Sequence, residues 1–336
     1  TVEALVSGMN GTIRKVSVTG PIGKTVVCEY GVIENTGGKT EEKTAVIEIA
    51  KAAGLTLLSE EERNPLYTTT YGVGEVIKDA VRNGCRKFIV GIGGSATNDG
   101  GAGMLQALGF GLLKENGEQI PIGARGLEEL AEITDDNVIP ELAECKFKIA
   151  CDVTNVLCGE TGASAVYGPQ KGADEEMTER LDRLLFSYAS LVKKKIPKAD
   201  SMYPGTGAAG GLGFAFLTFM DAQLESGIQI VIKETGLEQE IAKADLVITG
   251  EGRMDGQTAM GKAPIGIAKI AKKYGKPVIA FAGAAARDAG ACNEQGIDAF
   301  FPILREAVSL EAAMKRENAE ANMEAAVEQA YRLCRL

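Results

Sequence analysis

Residues 13–50 alternate apolar and polar positions and are rich in β-branched side chains: TIRKVSVTGP, KTVVCEYGVI and KTAVIEIA. Turn signals at Gly20-Pro21 and at 35–38 separate them, so the spacing predicts an antiparallel meander. Residues 51–85 predict helix interrupted by the loop EERNPLYTTTYG. KFIVGIGG (87–94) then reads as a short buried strand entering a glycine-rich turn, with TNDGGAGMLQALGF continuing as a helix. FKIACDV (147–153) predicts a second buried strand, and 174–195 carry apolar residues at helical spacing. From about residue 226 the rhythm changes. QIVIK and DLVITG read as strands, TGLEQEIAKA and PIGIAKIAKKYG as helices, PVIAFAG as another strand, and two helices close the chain after DAFFPIL. Strands alternating with helices of about 10–15 residues indicate βαβ units and a parallel sheet. The expectation is an α/β protein of two domains: mixed α+β over 1–225 and Rossmann-like over 226–336.

Composition narrows the chemistry. The 336 residues hold 45% hydrophobic and 24% charged side chains, an ordinary globular balance. Lys and Arg total 36 against 46 Asp and Glu, a net charge of −10, which argues against nucleic acid as a partner. A nucleotide would have to meet a local positive field of backbone amides and a few cations. With no His in the chain, His triads, His metal sites and His bases are all excluded. The seven Cys form no CxxC pair and read as reduced thiols, which makes a cytoplasmic location the expectation. No apolar run approaches the ~18–20 residues that span a bilayer, so no membrane partner is expected. The chain opens with Thr1 in a helix-like stretch lacking a capping run, from which a preceding segment is expected.

The 42 glycines gather in loops. GIGGSATNDGG (91–101) follows a strand, and Gly93 and Gly94 permit close backbone approach while exposed amides at a helix start favour an anion. Ser95, Thr97, Asn98 and Asp99 add polar groups, and Thr97 or Asn98 is the alternative as a plain helix cap. Gly91 to Ala96 also spells G-x-G-x-x-A, the weaker dinucleotide fingerprint, but its acidic partners Glu115 and Glu118 fall in a polar turn. A nicotinamide oxidoreductase is therefore an alternative. GTGAAGGLGFAF (205–216), with Gly210 and Gly211, either lines a cleft or lets two helices pack closely. TGEGRMDGQTAMGKAPIG (249–266) follows DLVITG. Its G-x-x-x-x-G-K from Gly256 to Lys262 is not a P-loop, because Ala263 stands where Ser or Thr would ligate Mg²⁺ and the strand ends too early. Glu251, Arg253, Asp255 and Gln257 crowd at a strand end, where open α/β sheets bind ligands, and Gly261-Lys262 precedes Pro264 at the positive end of a helix. CDVTN sets Asp152 at the end of a buried strand, where a carboxylate is costly unless paired, and GPQKG presents Lys171 between glycines.

GIGGSATNDGGAG, CDVTN, GPQKG, GAAGGLG and GEGRMDGQT…GKAP, in this order and with TGPIGK, NPLYTTTYG and PVIAFAG, resemble the bacterial glycerate kinase family. The resemblance implies two α/β domains with the active site in the cleft between them, and transfer of the ATP γ-phosphoryl group to D-glycerate with Mg²⁺. The product would be 2-phosphoglycerate or 3-phosphoglycerate, and a homodimer is a possible assembly. Family members begin with a further strand–helix–strand segment bearing an APDSFK-like motif and ending in DGGEGT. Its absence here would remove strands from the Rossmann-like sheet and leaves a non-catalytic ligand-binding remnant as a second alternative. On the kinase reading, Asp255 and Asp152 are the candidate proton acceptors, and Asp99 orients a hydroxyl or binds Mg²⁺. Arg253 suits the glycerate carboxylate, and Lys262, a further catalytic candidate, and Lys171 suit the phosphates. Ser95, Thr97, Asn98, Gln257 and Thr258 supply neutral hydrogen bonds, while Gly93, Gly94, Gly210, Gly211, Gly261 and Glu251 shape the phosphate and nucleotide contacts.

Overall fold

The computed structural model describes residues 2–34 and 42–334, so the turn signal at 35–38 lies outside the described residues. The chain divides into two compact units, Thr1–Ile230 and Val231–Leu336. In the first, β1 (Thr12–Thr19), β2 (Thr25–Glu34) and β3 (Lys43–Glu48) pair antiparallel. β4 (Cys85–Gly91) joins β3 in parallel. β5 (Gly111–Leu113) and β6 (Glu132–Thr134) form a small separate hairpin sheet. β7 (Lys146–Ala150) and β8 (Ala222–Glu225) extend the main sheet in parallel, giving the order β1-β2-β3-β4-β7-β8. The meander is thus the antiparallel wing of a mixed sheet whose parallel part carries the buried strands.

Core packing follows the sequence pattern. Phe88 of β4 stacks on Phe147 of β7 with centroids 4.6 Å apart, and Phe216 tilts against Phe147 at 5.8 Å. Burying each such ring stabilises the fold by about 1.5–3 kcal/mol. The helix Tyr71–Arg82 buries Val73, Val76, Ile77 and Ala80, the 3-4 repeat of an amphipathic face. A Cβ at its Gly74 would stand 2.4 Å from the Met104 carbonyl, so this helix and Ala102–Leu108 pack nearly backbone to backbone.

In the second unit, β9 (Val247–Met254), β10 (Val278–Ala285) and β11 (Ala299–Pro302) form an all-parallel sheet in the order β11-β10-β9. The helix Ala263–Lys273 covers it with Ile265, Ala268 and Ala271, all buried in one apolar cluster with Val278 and Ala280.

Three local expectations change. QIVIK is helical, inside Gly227–Thr235, despite its β-branched run. The Asp152 carboxylate accepts from Ser226 Oγ at 2.9 Å and Gly227 N at 3.1 Å, anchoring the positive end of this helix from outside it and overriding local strand propensity. β9 runs on through Gly250 to Met254, so Glu251 and Arg253 sit on a strand held to β10 rather than in a loop. The helix after the first glycine loop starts at Ala102, five residues past Thr97, so neither Thr97 nor Asn98 caps it.

Among the described residues of the first unit, two side chains of the acid and base types are buried, Asp99 and Lys171. Asp99 is fully buried and accepts from Thr70 N (2.8 Å), Thr70 Oγ1 (2.9 Å), Gly101 N (3.1 Å) and Gly103 N (3.3 Å). Burial pushes its pKa up, and these donors pull back against that. Lys171 is 2% exposed, and burial pulls its pKa down to about 7, opposed by the Asp99 charge.

Two consequences are measurable. Gly210 has φ 67° and a Cβ there would stand 2.0 Å from the Thr97 carbonyl. Gly210→Ala should lower stability by about 2–4 kcal/mol in chemical denaturation, from left-handed strain and overpacking. Because the folded-state pKa of Lys171 lies below its unfolded value, the unfolded chain binds the extra proton between the two. Stability from this group is therefore low at pH below about 7 and rises with pH above it, by up to ~1.4 kcal/mol per unit. Denaturation midpoints at about pH 7 and about pH 8.5 should show this rise in the wild type, and Lys171→Met should flatten it.

Candidate active site

In the first unit, a pocket of about 330 Å³ opens at the C-terminal ends of the parallel strands β4 and β7, the place where open α/β sheets bind ligands. One wall is main chain: Gly93, Gly94 and Ser95 directly after β4. Cys151, Asp152 and Val153 follow β7, and Gln170 and Lys171 come from the 3₁₀ turn Pro169–Lys171. Gly94 has φ 70°, and the loop is pinned to its neighbour by Leu55 N donating to Gly94 O (3.0 Å) and Ala96 N to Ala53 O (2.8 Å). Lys171 Nζ donates to Ser95 Oγ at 3.0 Å and to the Thr97 carbonyl at 2.7 Å. GPQKG is exposed at Pro169, Gln170 and Gly172, but its Lys171 turns inward and delivers a buried amine.

Several expected site residues take other roles. Asp99 is corrected: both its oxygens are engaged by donors in the interior, which leaves no face for Mg²⁺ or a substrate hydroxyl. The Thr97 and Asn98 side chains are also fully buried. Asn98 Nδ2 donates to Ser164 Oγ at 2.9 Å, whereas Thr97 Oγ1 and Asn98 Oδ1 lack a protein partner. Only the Thr97 carbonyl reaches Lys171. Gly210 and Gly211 are buried against the first glycine loop, with Gly100 N donating to Gly210 O at 2.9 Å. They serve packing and have no surface for a phosphate. Asp152 is exposed at the pocket and ties down the helix Gly227–Thr235 with one oxygen.

The pocket also uses two residues that were not among the expected site residues. Tyr167 lines it while its hydroxyl donates to Asn155 Oδ1 at 2.6 Å, and Ala209 lines it in a left-handed conformation, φ 52°. Tyr167 abuts GPQKG and was within reach of a motif-based reading. A non-glycine residue at positive φ carries no sequence signature.

In the second unit, β9 delivers Glu251 and Arg253 and ends one residue before Asp255, which caps the short helix Gly256–Ala259. Asp255 Oδ1 accepts from Gln257 N (3.0 Å) and Thr258 N (3.2 Å), and Asp255 N donates to Thr258 Oγ1 (3.1 Å), a reciprocal capping box. The buried Thr258 hydroxyl passes its own proton to a hydrogen bond with Glu251 Oε1. Arg253 Nε and Lys262 Nζ each stand 3.9 Å from an Asp255 oxygen, close enough for attraction but too far for a hydrogen bond. Desolvation pushes the Asp255 carboxyl up, but the Thr258 N–H, the Lys262 ammonium, the Gln257 N–H and the Arg253 guanidinium outweigh it. The pKa sits below the usual carboxylate range. Gly261 has φ 117°, and Lys262 occupies the N-cap position of Ala263–Lys273 with Pro264 in its first turn.

The dinucleotide alternative loses its support here, since no helix opens at Gly91–Ala96 to receive a pyrophosphate. Among the described residues no group of three or more acidic or thiol side chains is set to hold a metal ion, and no helix is long and apolar enough to cross a membrane.

The model of the glycerate kinase family matches residues 1–335. Glycerate kinase of Halalkalibacterium halodurans is 48% identical over 316 residues, covering 94% of this chain and 82% of that protein. Glycerate 2-kinase of Escherichia coli is 47% identical over 315 residues, covering 94% and 81%. A crystal structure from Salmonella typhimurium LT2, provisionally named glycerate kinase 2, aligns with a TM-score of 0.86 and 46% identity over 99% of this chain and 86% of that one. The glycine loops, the strand-end pocket and the charged stretch at the end of β9 thus lie within a match that spans nearly the whole sequence, and the chain belongs to the glycerate kinase family.

Proposed function

We propose that this enzyme transfers the γ-phosphoryl group of ATP to the 2-hydroxyl of D-glycerate, releasing ADP and 2-phosphoglycerate. The family supports a kinase acting on an alcohol, and the name of the Escherichia coli relative supports the 2-position. The observation that carries the reading is the array on and just after β9: the Arg253 guanidinium and the Lys262 ammonium each stand 3.9 Å from an Asp255 oxygen, beyond hydrogen-bond distance, and Thr258 links the Glu251 carboxylate to the same cap. Such an arrangement suits a polyphosphate, whose transfer depends on positioning and charge neutralisation more than on covalent chemistry.

Arg253 and Lys262 are assigned to the nucleotide phosphates, and Gly261 lets the chain turn into the helix whose N-terminal amides face the same charge. This moves Arg253 from the glycerate carboxylate expected of it. Mg²⁺ asks for only one or two carboxylates when phosphate oxygens complete its shell. Glu251 and Asp255 fit that demand, because the cap occupies Oδ1 of Asp255 and leaves Oδ2. Bound there, the ion would neutralise charge on the transferring group. An Asp255 held below the usual carboxylate range stays ionised, which suits this role and argues against the expected role of proton acceptor. The strand-end pocket of the first unit, about 330 Å³ with Ser95 in its wall, has room for a three-carbon hydroxy acid. Cytoplasmic location and a homodimer are part of the same reading.

A coupled ADP-release assay with D-glycerate, ATP and Mg²⁺, followed by ³¹P NMR of the product, is expected to give 2-phosphoglycerate. ADP release no faster than the glycerate-free blank would refute the kinase reading and favour a binding protein without turnover. Asp255→Asn should cut kcat about 100-fold or more. Its unfolding free energy should stay within ~1 kcal/mol of wild type, because Asn caps a helix as well as Asp does.

A further inference from the structure

The geometry points to Lys171 as the group that takes the proton from the substrate hydroxyl during phosphoryl transfer. This rests on the kinase reading and names the acceptor within it.

The acceptor inventory is short. There is no His, and Asp99 is sealed in the interior. Asp255 is spent on a helix cap and held ionised by its cationic neighbours, which makes it a weak base. Asp152 has one oxygen tied to Ser226 and Gly227. Lys171 differs from all three. Lys171 is a lining residue of the pocket, and two acceptors, Ser95 Oγ and the Thr97 carbonyl, are within hydrogen-bond distance of its Nζ. A neutral amine has two N–H groups and one lone pair. The two acceptors consume the N–H groups and leave the lone pair. An ammonium would carry a third N–H, and among the described residues no carboxylate comes within ion-pair distance of this buried nitrogen.

The amine is also held in place. Gly172, next in the chain, has φ 94°, and a Cβ there would meet the Arg63 carbonyl at 2.3 Å, so the turn is locked against the preceding loop. The charged and titratable groups around it are Asp99 from the first glycine loop, Asp152 and Cys151 after β7, Tyr167 beside the turn, and Arg63. Of these, Asp99 is the one that pulls the amine back toward the charged form, and burial outweighs it, leaving a pKa of about 7. A base is most effective when its pKa lies near the working pH.

In the transfer, a lone pair of the glycerate hydroxyl oxygen forms the new O–P bond to the γ-phosphorus. The bond from that phosphorus to the β,γ-bridging oxygen breaks, and its electron pair leaves with ADP. The hydroxyl proton passes to the Lys171 lone pair. The resulting ammonium lies beside the new phosphomonoester and returns the proton to water as product leaves.

The test is kcat against pH, from about pH 5.5 to about pH 9, for wild type, Lys171→Arg and Lys171→Met. Wild-type kcat should rise through a limb near neutrality, and that limb should move to lower pH on warming, as an amine's ionisation does and a carboxylate's does not. Both variants should lose about 10²–10⁴-fold in kcat with the limb gone, while KM for glycerate changes little. Lys171→Arg is the discriminating variant: it supplies N–H donors and the positive charge that Lys171 would carry after accepting a proton, but cannot itself accept one. Lys171→Arg within about threefold of wild-type kcat would assign the residue to charge or structure alone and overturn the proposal. If a variant fails to fold, the wild-type limb still decides, since a limb insensitive to temperature also overturns it. Wild-type protein that releases no ADP with D-glycerate refutes the kinase reading itself, an outcome separate from turnover that proceeds without Lys171.

Discussion

Between Thr97 and Gly101 on one side and Ala209 and Gly211 on the other, two stretches of main chain approach so closely that side chains are excluded from the contact. Gly100 N donates to Gly210 O at 2.9 Å, and a Cβ on Gly211 would stand 2.7 Å from Gly100 Cα. The positive φ of Gly100, Gly101, Gly210 and Gly211 makes this approach possible without strain. Much of the first unit is arranged around it. The contact fixes the loop from which Asp99 gathers Thr70 and the first amides of Ala102–Leu108, and from which the Thr97 carbonyl holds Lys171. The pocket is the outer surface of that loop.

The carboxylates are sorted by what surrounds them. Asp99, in the interior, meets only donors and becomes a structural knot. Asp152, at the surface, lends one oxygen to a helix start. Asp255 is drawn below its ordinary range by amides and cations and keeps its charge for a ligand. Their shared residue type says little about role, because donors, burial and neighbouring charge decide it.

Much of this was legible in the sequence. Alternation announced the meander of β1, β2 and β3, and alternating strands and helices announced the parallel sheet of the second unit. The loops at 91–101 and 249–262 were marked by glycine and charge density. What failed was what depends on tertiary partners. QIVIK looks like a strand until Asp152, some 75 positions earlier, anchors its first turn. β9 looks finished at Gly250 until pairing with β10 carries it to Met254. Asp99, Thr97 and Asn98 look available because a glycine loop suggests exposure, and the second loop that buries them lies over a hundred residues away in the chain.

The wall of the pocket built from Gly93, Gly94 and the left-handed Ala209 is main chain, and it has a consequence for how this enzyme can change. Point mutation alters side chains, and a bulkier residue at Gly94 meets backbone strain while one at Ala209 already starts from it, whereas a side chain at Gly93 would find open space. Drift toward larger or differently charged acids is therefore open at Gly93, Val153, Tyr167 and Gln170 of the lining and closed at Gly94 and Ala209. Homologues with new substrate preferences should vary at the first set while Gly94 and Ala209 stay as they are, an inherited mould with a fixed hinge of backbone.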